Sequence, residues 1–264
     1  MKEPVHILVT CRKAEMLPAA TLVFKTVRVG FPDAPIRVCL NQAYRQEWPY
    51  QWEEQIRGAM KAAKPERILT CAIAHDSWIS ALIEVERNPF WICDADVAFW
   101  KEFKHEPDGS ALAGVRVPSF FEPWTRTQYR ERLHTCLMRI DPLAFRESCL
   151  DFKQSFPLEP FKPRIDYVYQ QWQPELTEGE IGMKRVVHFY DTLAMAWHAF
   201  GGQEFTQAQI ESFDHLNCAT YADLIAPSLD FDILGAHKAI YENIELARGS
   251  WGKQFEWFAA HREA

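Results

Sequence analysis

Short strand-like runs and longer helical ones alternate from the N-terminus of this chain, and no other feature limits its fold as strongly. Val5–Thr10, Ile36–Leu40, Arg67–Cys71 and Phe90–Cys93 are short runs rich in apolar and β-branched residues, the pattern of strands. Between them, Leu17–Val29, Trp52–Ala63 and Ser77–Glu86 carry apolar residues at helical spacing. Consecutive strands joined through helices pair in parallel, because a crossover returns the chain to the same end of the sheet. The expected fold class is therefore α/β: a Rossmann-like, mixed but mainly parallel sheet flanked by helices. Ligands of such sheets gather beyond the carboxyl ends of the strands. Thr10, Arg12, Asn41, Asp94 and Asp96 all fall at those ends.

The alternation stops after Asp108-Gly109. Residues 111–118 and 135–141 read as strands of a second, mixed section, followed by a helix from Pro142 to about Phe152. Gln154–Gly182 is rich in proline, aromatic and polar residues with little periodicity, the composition either of a mobile lid or of a packed surface excursion. Thr192–Phe200 reads as a helix, Gly201-Gly202 as a turn, Asp214–Asn217 as a loop and Ala236–Ala247 as a terminal helix. The chain is expected to be one domain over residues 1–264, ending in a C-terminal helical extension.

Composition weighs against several function classes. A net charge of −7 gives no global attraction to nucleic acid or to anionic membranes. No apolar run reaches membrane-spanning length, and Met1-Lys2-Glu3-Pro4 leads straight into the first strand without the pattern of a signal peptide. Seven cysteines form an odd set with no Cys-x-x-Cys pair, so they read as reduced core residues and the expected location is the cytoplasm.

The candidate chemistry centres on Asp94-Ala95-Asp96, which interrupts the apolar stretch from Phe90 to Trp100. Residues i and i+2 of an extended chain share a face, and a turn at Ala95 brings both carboxylates to one point. Two carboxylates suit a hard divalent cation such as Mg2+ or Mn2+, whose shell is completed by phosphates and water. The competing reading is structural, since aspartate also ends strands and caps helices. Unpaired acids beneath packed aromatics are costly, and a bound cation relieves that cost.

The run NPFWICDADVAFW over residues 88–100, together with the strand-end Asn41 and the helix beginning near His75-Asp76-Ser77-Trp78, resembles the GT-A fold glycosyltransferases that use nucleotide sugars and carry an Asp-x-Asp motif. The resemblance extends over residues 4–220. ALAGVRVPSFF and HTCLMRID are similar to the family's two sheet segments after the metal motif. HFYDTLAMAWHAFGG resembles its acceptor-side acid and helix, and FDHLNCATY its late metal-ligand histidine. The resemblance implies a nucleotide-sugar and metal half over residues 1–108, an acceptor-side half over 109–220 and a C-terminal helical segment over 221–264.

It also implies roles. Asp96 coordinates Mn2+ or Mg2+, Asp94 reaches the metal or the donor ribose, and His215 adds a ligand. An imidazole among oxygens favours Mn2+; a loop histidine bonded to nearby backbone is the alternative. Asp191 stands where an acid takes the acceptor hydroxyl's proton, and it could equally cap the helix that follows. Thr10, Arg12 and Asn41 lie near the base and phosphates of a UDP-type donor. A hydroxylated base in DNA is a possible acceptor alongside glycan, lipid-linked and protein hydroxyls, because Phe120, Phe121, Trp124, Tyr129 and Tyr167 are interleaved with Arg126, Arg130, Arg132, Lys162 and Arg164. The same stretch keeps a nucleic-acid-binding module in view. A nucleotidyltransferase would want a glycine-rich phosphate loop where this chain has Cys11-Arg12-Lys13-Ala14-Glu15. Oligomeric state is not legible.

Overall fold

The computed structural model describes residues 2–11, 14, 17–42, 48–122, 126–155, 167–179, 182–216 and 243–252. In chain order these form β1 (Val5–Thr10), α1 (Val23–Gly30), β2 (Ile36–Asn41), α2 (Tyr50–Met60), β3 (Arg67–Cys71), α3 (His75–Val85), β4 (Phe90–Asp94) and β5 (Val97–Phe99). There follow β6 (Leu112–Val117), β7 (Phe120–Glu122), β8 (Thr127–Tyr129), β9 (Arg132–Ile140), α4 (Pro142–Ser155), β10 (Gln171–Gly179) and β11 (Gly182–Tyr190). The last elements are α5 (Ala194–Phe200), β12 (Gln203–Glu204), α6 (Gln207–Ile210) and β13 (Phe213–His215). The fold is mixed α/β with a mainly parallel sheet flanked by helices. Among the described residues no helix is long and apolar enough to cross a membrane.

The chain divides into two compact units, each assembled from separated stretches. The first draws on Met1–Ala74, Phe90–Glu106 and Thr206–Gln254. Its strands run in the order β4-β1-β2-β3, all parallel, with Val5 opposite both Ile36 and Trp91, and Asn41 opposite both Thr10 and Cys71. Every residue of β1 is buried, whereas Arg67 to Thr70 of β3 are exposed, as befits a strand at the margin of this row. α1 lays Val23, Phe24, Val27 and Gly30 inward, the spacing of one helical face. It approaches β5 closely enough that a Cβ on Gly30 would stand 2.5 Å from the Phe99 ring. The Phe99 N–H donates to Thr26 Oγ1 at 3.0 Å, fixing the same contact from the other side. Phe31, Trp91, Phe99, Phe103 and Phe213 form a chain of tilted and edge-to-face rings with centroids 5.3–6.0 Å apart, the geometry aromatic quadrupoles favour.

The second unit draws on His75–Pro89 and Pro107–Phe205. β6 and β9 pair antiparallel with a register shift between Gly114 and Val115, and β12 adds in parallel to β6. A separate sheet runs β10-β11-β8-β7. α4 begins where expected because Asp141 Oδ1 accepts the Leu143 and Ala144 N–H groups at 3.0 and 3.1 Å, a side-chain cap ahead of a first-turn proline.

Several sequence expectations need correction. Gln171–Gly179 and Gly182–Tyr190 form an antiparallel hairpin, so that part of the expected irregular Gln154–Gly182 stretch is sheet; residues 156–166 lie outside the described residues. Pro174 and the glycines near the turn disguised the period of the first strand. β7, β8, β12 and α6 were not expected. The helix at Leu17–Val29 is a short 3-10 turn, Ala19–Thr21, followed by α1. α3 starts at His75, so Asp76 lies in its first turn, accepting the Ser77 N–H at 2.7 Å. Of the expected helix over Ala236–Ala247, residues 236–242 lie outside the described residues and Ile244–Ala247 is 3-10.

Candidate metal centre

β4 ends at Asp94, the chain turns through Ala95 and Asp96, and β5 begins at Val97. The turn is pinned from below, because the Val23 N–H at the start of α1 donates to Ala95 O at 2.9 Å. Ala95 is 2% exposed, and its smallness lets the strand end pack against that helix. β13 then pairs antiparallel with β5, setting His215 opposite Val97 and Phe213 opposite Phe99. The Leu216 N–H closes the register on Asp96 O at 3.1 Å. The expected loop at Asp214–His215 is therefore a strand, and that pairing carries the histidine to the acids.

His215 Nε2 lies 3.2 Å from Asp96 Oδ1 and 3.8 Å from Asp94 Oδ2. One oxygen from each acid and one imidazole nitrogen lie within 4.8 Å of one another. The side chains of His215 and Asp96 are 3% and 5% exposed, that of Asp94 28%, so the trio is closed on one side and open at Asp94. Burial disfavours the charged imidazole, yet Asp96, Asp94 and Asp214 outweigh it and hold the His215 pKa above the usual histidine value. Beneath them, burial first and then the two acids push the Cys93 thiol up, keeping it a neutral spacer. Two carboxylates and an imidazole suit a divalent cation such as Mn2+.

Asp214 organises the support. Its Oδ2 accepts from Trp100 Nε1 at 2.8 Å and the Gly249 N–H at 3.0 Å, and its Oδ1 accepts the Trp251 N–H at 3.0 Å. Ser250 Oγ donates to His215 O at 3.1 Å. The Trp251 ring meets the His215 imidazole edge-on with centroids 5.3 Å apart. Sequence reasoning did not single out Asp214, Ser250 or Trp251. The available signal was the acid beside His215, since adjacent strand residues point to opposite faces and the second face needed an occupant.

Thr10 and Asn41 stand side by side at the ends of β1 and β2, 5% and 2% exposed. The Asn41 amide is engaged by the chain itself: Nδ2 donates to Ile73 O at 2.9 Å and Oδ1 accepts the Ile73 N–H at 3.2 Å. Its observed work is to hold the segment leaving β3. Arg12, Trp124, Lys162 and Arg164 lie outside the described residues.

Asp191 belongs to the second unit, between β11 and α5. Arg132 Nη2 meets its Oδ2 at 2.9 Å, while Oδ1 accepts from Gln170 Nε2 and the Thr192 N–H, both at 2.8 Å. Burial alone would raise its pKa, but Arg132, the Thr192 N–H, the Gln170 amide and His75 together hold it below the usual carboxylate value. Asp191 is not the helix cap: the N-cap position of α5 is Leu193, which sits at φ 63° without a side-chain cap. That left-handed leucine costs roughly 1–2 kcal/mol and is retained where the chain turns from β11, with its N–H on Val168 O at 2.9 Å.

No family model matches the chain, and neither does any curated protein. Among solved structures it is similar to the bifunctional glycosyltransferase WbbM in its apo form, with a TM-score of 0.37 and 10% identity over 55% of this chain and 32% of that one. It is also similar to the glycosyltransferase GlyE of Streptococcus pneumoniae TIGR4, with a TM-score of 0.40 and 9% identity over 87% of this chain and 52% of that one. The chain thus spans about a third and about half the lengths of these proteins.

In the second unit Phe120 and Tyr129, from the aromatic stretch singled out from sequence, join Phe189 and Trp172 in one transverse row. Phe120 stacks on Tyr129 at 4.4 Å, Tyr129 meets Phe189 edge-on at 5.4 Å and Phe189 lies 4.1 Å from Trp172. These are register neighbours on β7, β8, β11 and β10. Phe120 and Phe189 are buried, so the row is first of all the packing of that sheet.

Proposed function

We propose that this chain is a metal-dependent glycosyltransferase that moves a sugar from a UDP-type nucleotide sugar to a hydroxyl acceptor. The observation that carries the proposal is the meeting of Asp94, Asp96 and His215 within 4.8 Å at the carboxyl end of β4. Asp96 and His215 are the buried ligands and Asp94 the open one. A divalent cation bound there supplies positive charge to a departing diphosphate. Asp214 and the Trp251 ring keep the imidazole in place, and Thr10 and Asn41 form the neighbouring strand-end floor.

In this reading Asp191 takes the acceptor hydroxyl's proton as the acceptor oxygen bonds to the anomeric carbon and the bond from that carbon to the diphosphate breaks. Its depressed pKa keeps it ionised at neutral pH, and Oδ2, met by Arg132, retains a lone pair for that proton, whereas Oδ1 already accepts two hydrogen bonds. The absence of glycine from Cys11-Arg12-Lys13-Ala14-Glu15 favours this reading over a nucleotidyltransferase.

The test is incubation with a panel of nucleotide sugars and Mn2+, reading slow release of nucleoside diphosphate by donor hydrolysis. Release with at least one UDP sugar, lost on chelation and in Asp96→Ala, is the expected result. No release from any donor, together with no metal-dependent nucleotide binding, overturns the proposal.

A further inference from the structure

Cys39 and Cys71 lie on the neighbouring parallel strands β2 and β3. The register sets Cys39 opposite Leu69 and Asn41 opposite Cys71. Residues two apart on a strand share a face, so Cys39 and Cys71 are diagonal neighbours on one side of the sheet. Their sulfurs approach to 2.8 Å. Unbonded carbon atoms, which are smaller than sulfur, sit about 3.5–4.0 Å apart, and a disulfide bond measures about 2.05 Å. Less than an ångström of movement separates these thiols from a covalent bond. Cys39 is buried, whereas Cys71 ends the exposed β3 and is, among the described cysteines, the one that is not buried.

We propose that Cys39 and Cys71 are a reversible redox-modification site that closes into a disulfide on exchange with a small-molecule disulfide such as oxidised glutathione. Cys71, the reachable sulfur, loses its proton and attacks the oxidant. A mixed disulfide forms as the oxidant's S–S bond breaks, and the released thiolate takes up a proton. Cys39 then gives up its proton, its sulfur bonds to that of Cys71, and the second small thiol leaves. Two protein thiols are oxidised and one small disulfide is reduced to two thiols.

Electrostatics assign the same order. Donation from Cys39 lowers the Cys71 pKa, against its partial burial and with help from the Ile73 backbone, while the Cys39 pKa is raised by the same hydrogen bond and by burial. The consequence falls on Asn41, whose Oδ1 receives the Cys71 thiol at 3.5 Å and the Ile73 N–H at 3.2 Å. Oxidation removes the thiol donor and ties the ends of β2 and β3 together, one strand away from Thr10.

The proposal does not depend on the glycosyltransferase reading. Its test uses the reduced, folded full chain incubated with oxidised glutathione, with free thiols counted and peptides mapped by mass before and after dithiothreitol. The wild type should lose two thiols, yield a Cys39–Cys71 linked peptide and recover both thiols on reduction. Cys39→Ala should instead keep glutathione on Cys71, because the resolving thiol is gone. A wild type that retains these thiols, joins other cysteines, or holds a stable glutathione on Cys71 overturns the proposal. The decisive reading is made on the wild type, so a poorly folded variant does not rescue it.

Discussion

His215 Nε2 stands 3.2 Å from Asp96 Oδ1 with both side chains almost wholly buried. A buried acid and base that are so close compensate each other's charge, and removing one leaves the other exposed to the full cost of burial. Asp96→Ala should abolish Mn2+ binding measured by calorimetry, and His215→Ala should weaken it at least about tenfold, or ~1.4 kcal/mol. Both variants need a circular-dichroism melt alongside. Folded variants with unchanged Mn2+ affinity would return the acids to a structural role.

Asp214 accepts three N–H groups, two of them from the backbone of residues 249 and 251. Asp214→Ala orphans these donors and should cost roughly 1–3 kcal/mol of unfolding free energy per buried donor left unmet. Urea unfolding measures this. Hydrogen exchange at the Gly249 and Trp251 amides should speed up as their segment loosens from β13, and unchanged exchange would show that another contact holds it.

Against burial, which raises it, Arg132 helps hold the Asp191 pKa below the usual carboxylate value. In Arg132→Gln the Asp191 pKa should rise, because the facing positive charge is gone, moving the acidic limb of the transfer pH profile upward, while Arg132→Lys restores part of the shift. Asp191→Asn should spare donor binding and slow transfer. A limb that stays in place in Arg132→Gln excludes Asp191 as the titrating group.

His6 makes a stability switch in acid. It sits in register with Arg37, which in turn faces Arg67, and its ring meets Phe90 edge-on at 5.4 Å. Burial first, then the two guanidiniums, push its pKa from 6.5 down to about 3. The folded value lies below the unfolded one, so the stability held by neutral His6 is complete above pH 6.5 and is lost as the pH falls toward 3. The slope is at most about 1.4 kcal/mol per pH unit. His6→Gln should flatten the loss between pH 6.5 and pH 4 in urea titrations; parallel losses would assign the effect to other groups.

Gly30 marks the closest approach of α1 to β5, with the Phe99 ring 2.5 Å from where a Cβ would stand. That ring is 1% exposed and cannot swing into solvent. Gly30→Ala should destabilise by roughly 1–3 kcal/mol through overpacking, despite the higher helix propensity of alanine. A stabilised variant would mean that propensity wins over the contact.

The sequence by itself determined the α/β class, because periodicity is local: β1 and β3 were legible to the residue, and β2, β4, α2 and α3 to within a few. It also marked Asp94 and Asp96 as a pair and the row of polar strand ends, since a parallel sheet with crossover helices can place those ends nowhere else. It did not reveal the hairpin of β10 and β11, whose first strand is interrupted by Pro174, nor the margin position of β3, whose exposed face looks like any strand in one dimension. Family resemblance named His215 as a partner of the acids, but how it reaches them only the tertiary structure decided, through the antiparallel pairing of β13 with β5, a long-range register that no local spacing encodes. The roles of Asp214 and Trp251, and the meeting of Cys39 with Cys71, have the same origin. Side chains far apart in the chain acquire their chemistry from strand register, and register is set by packing of the whole sheet.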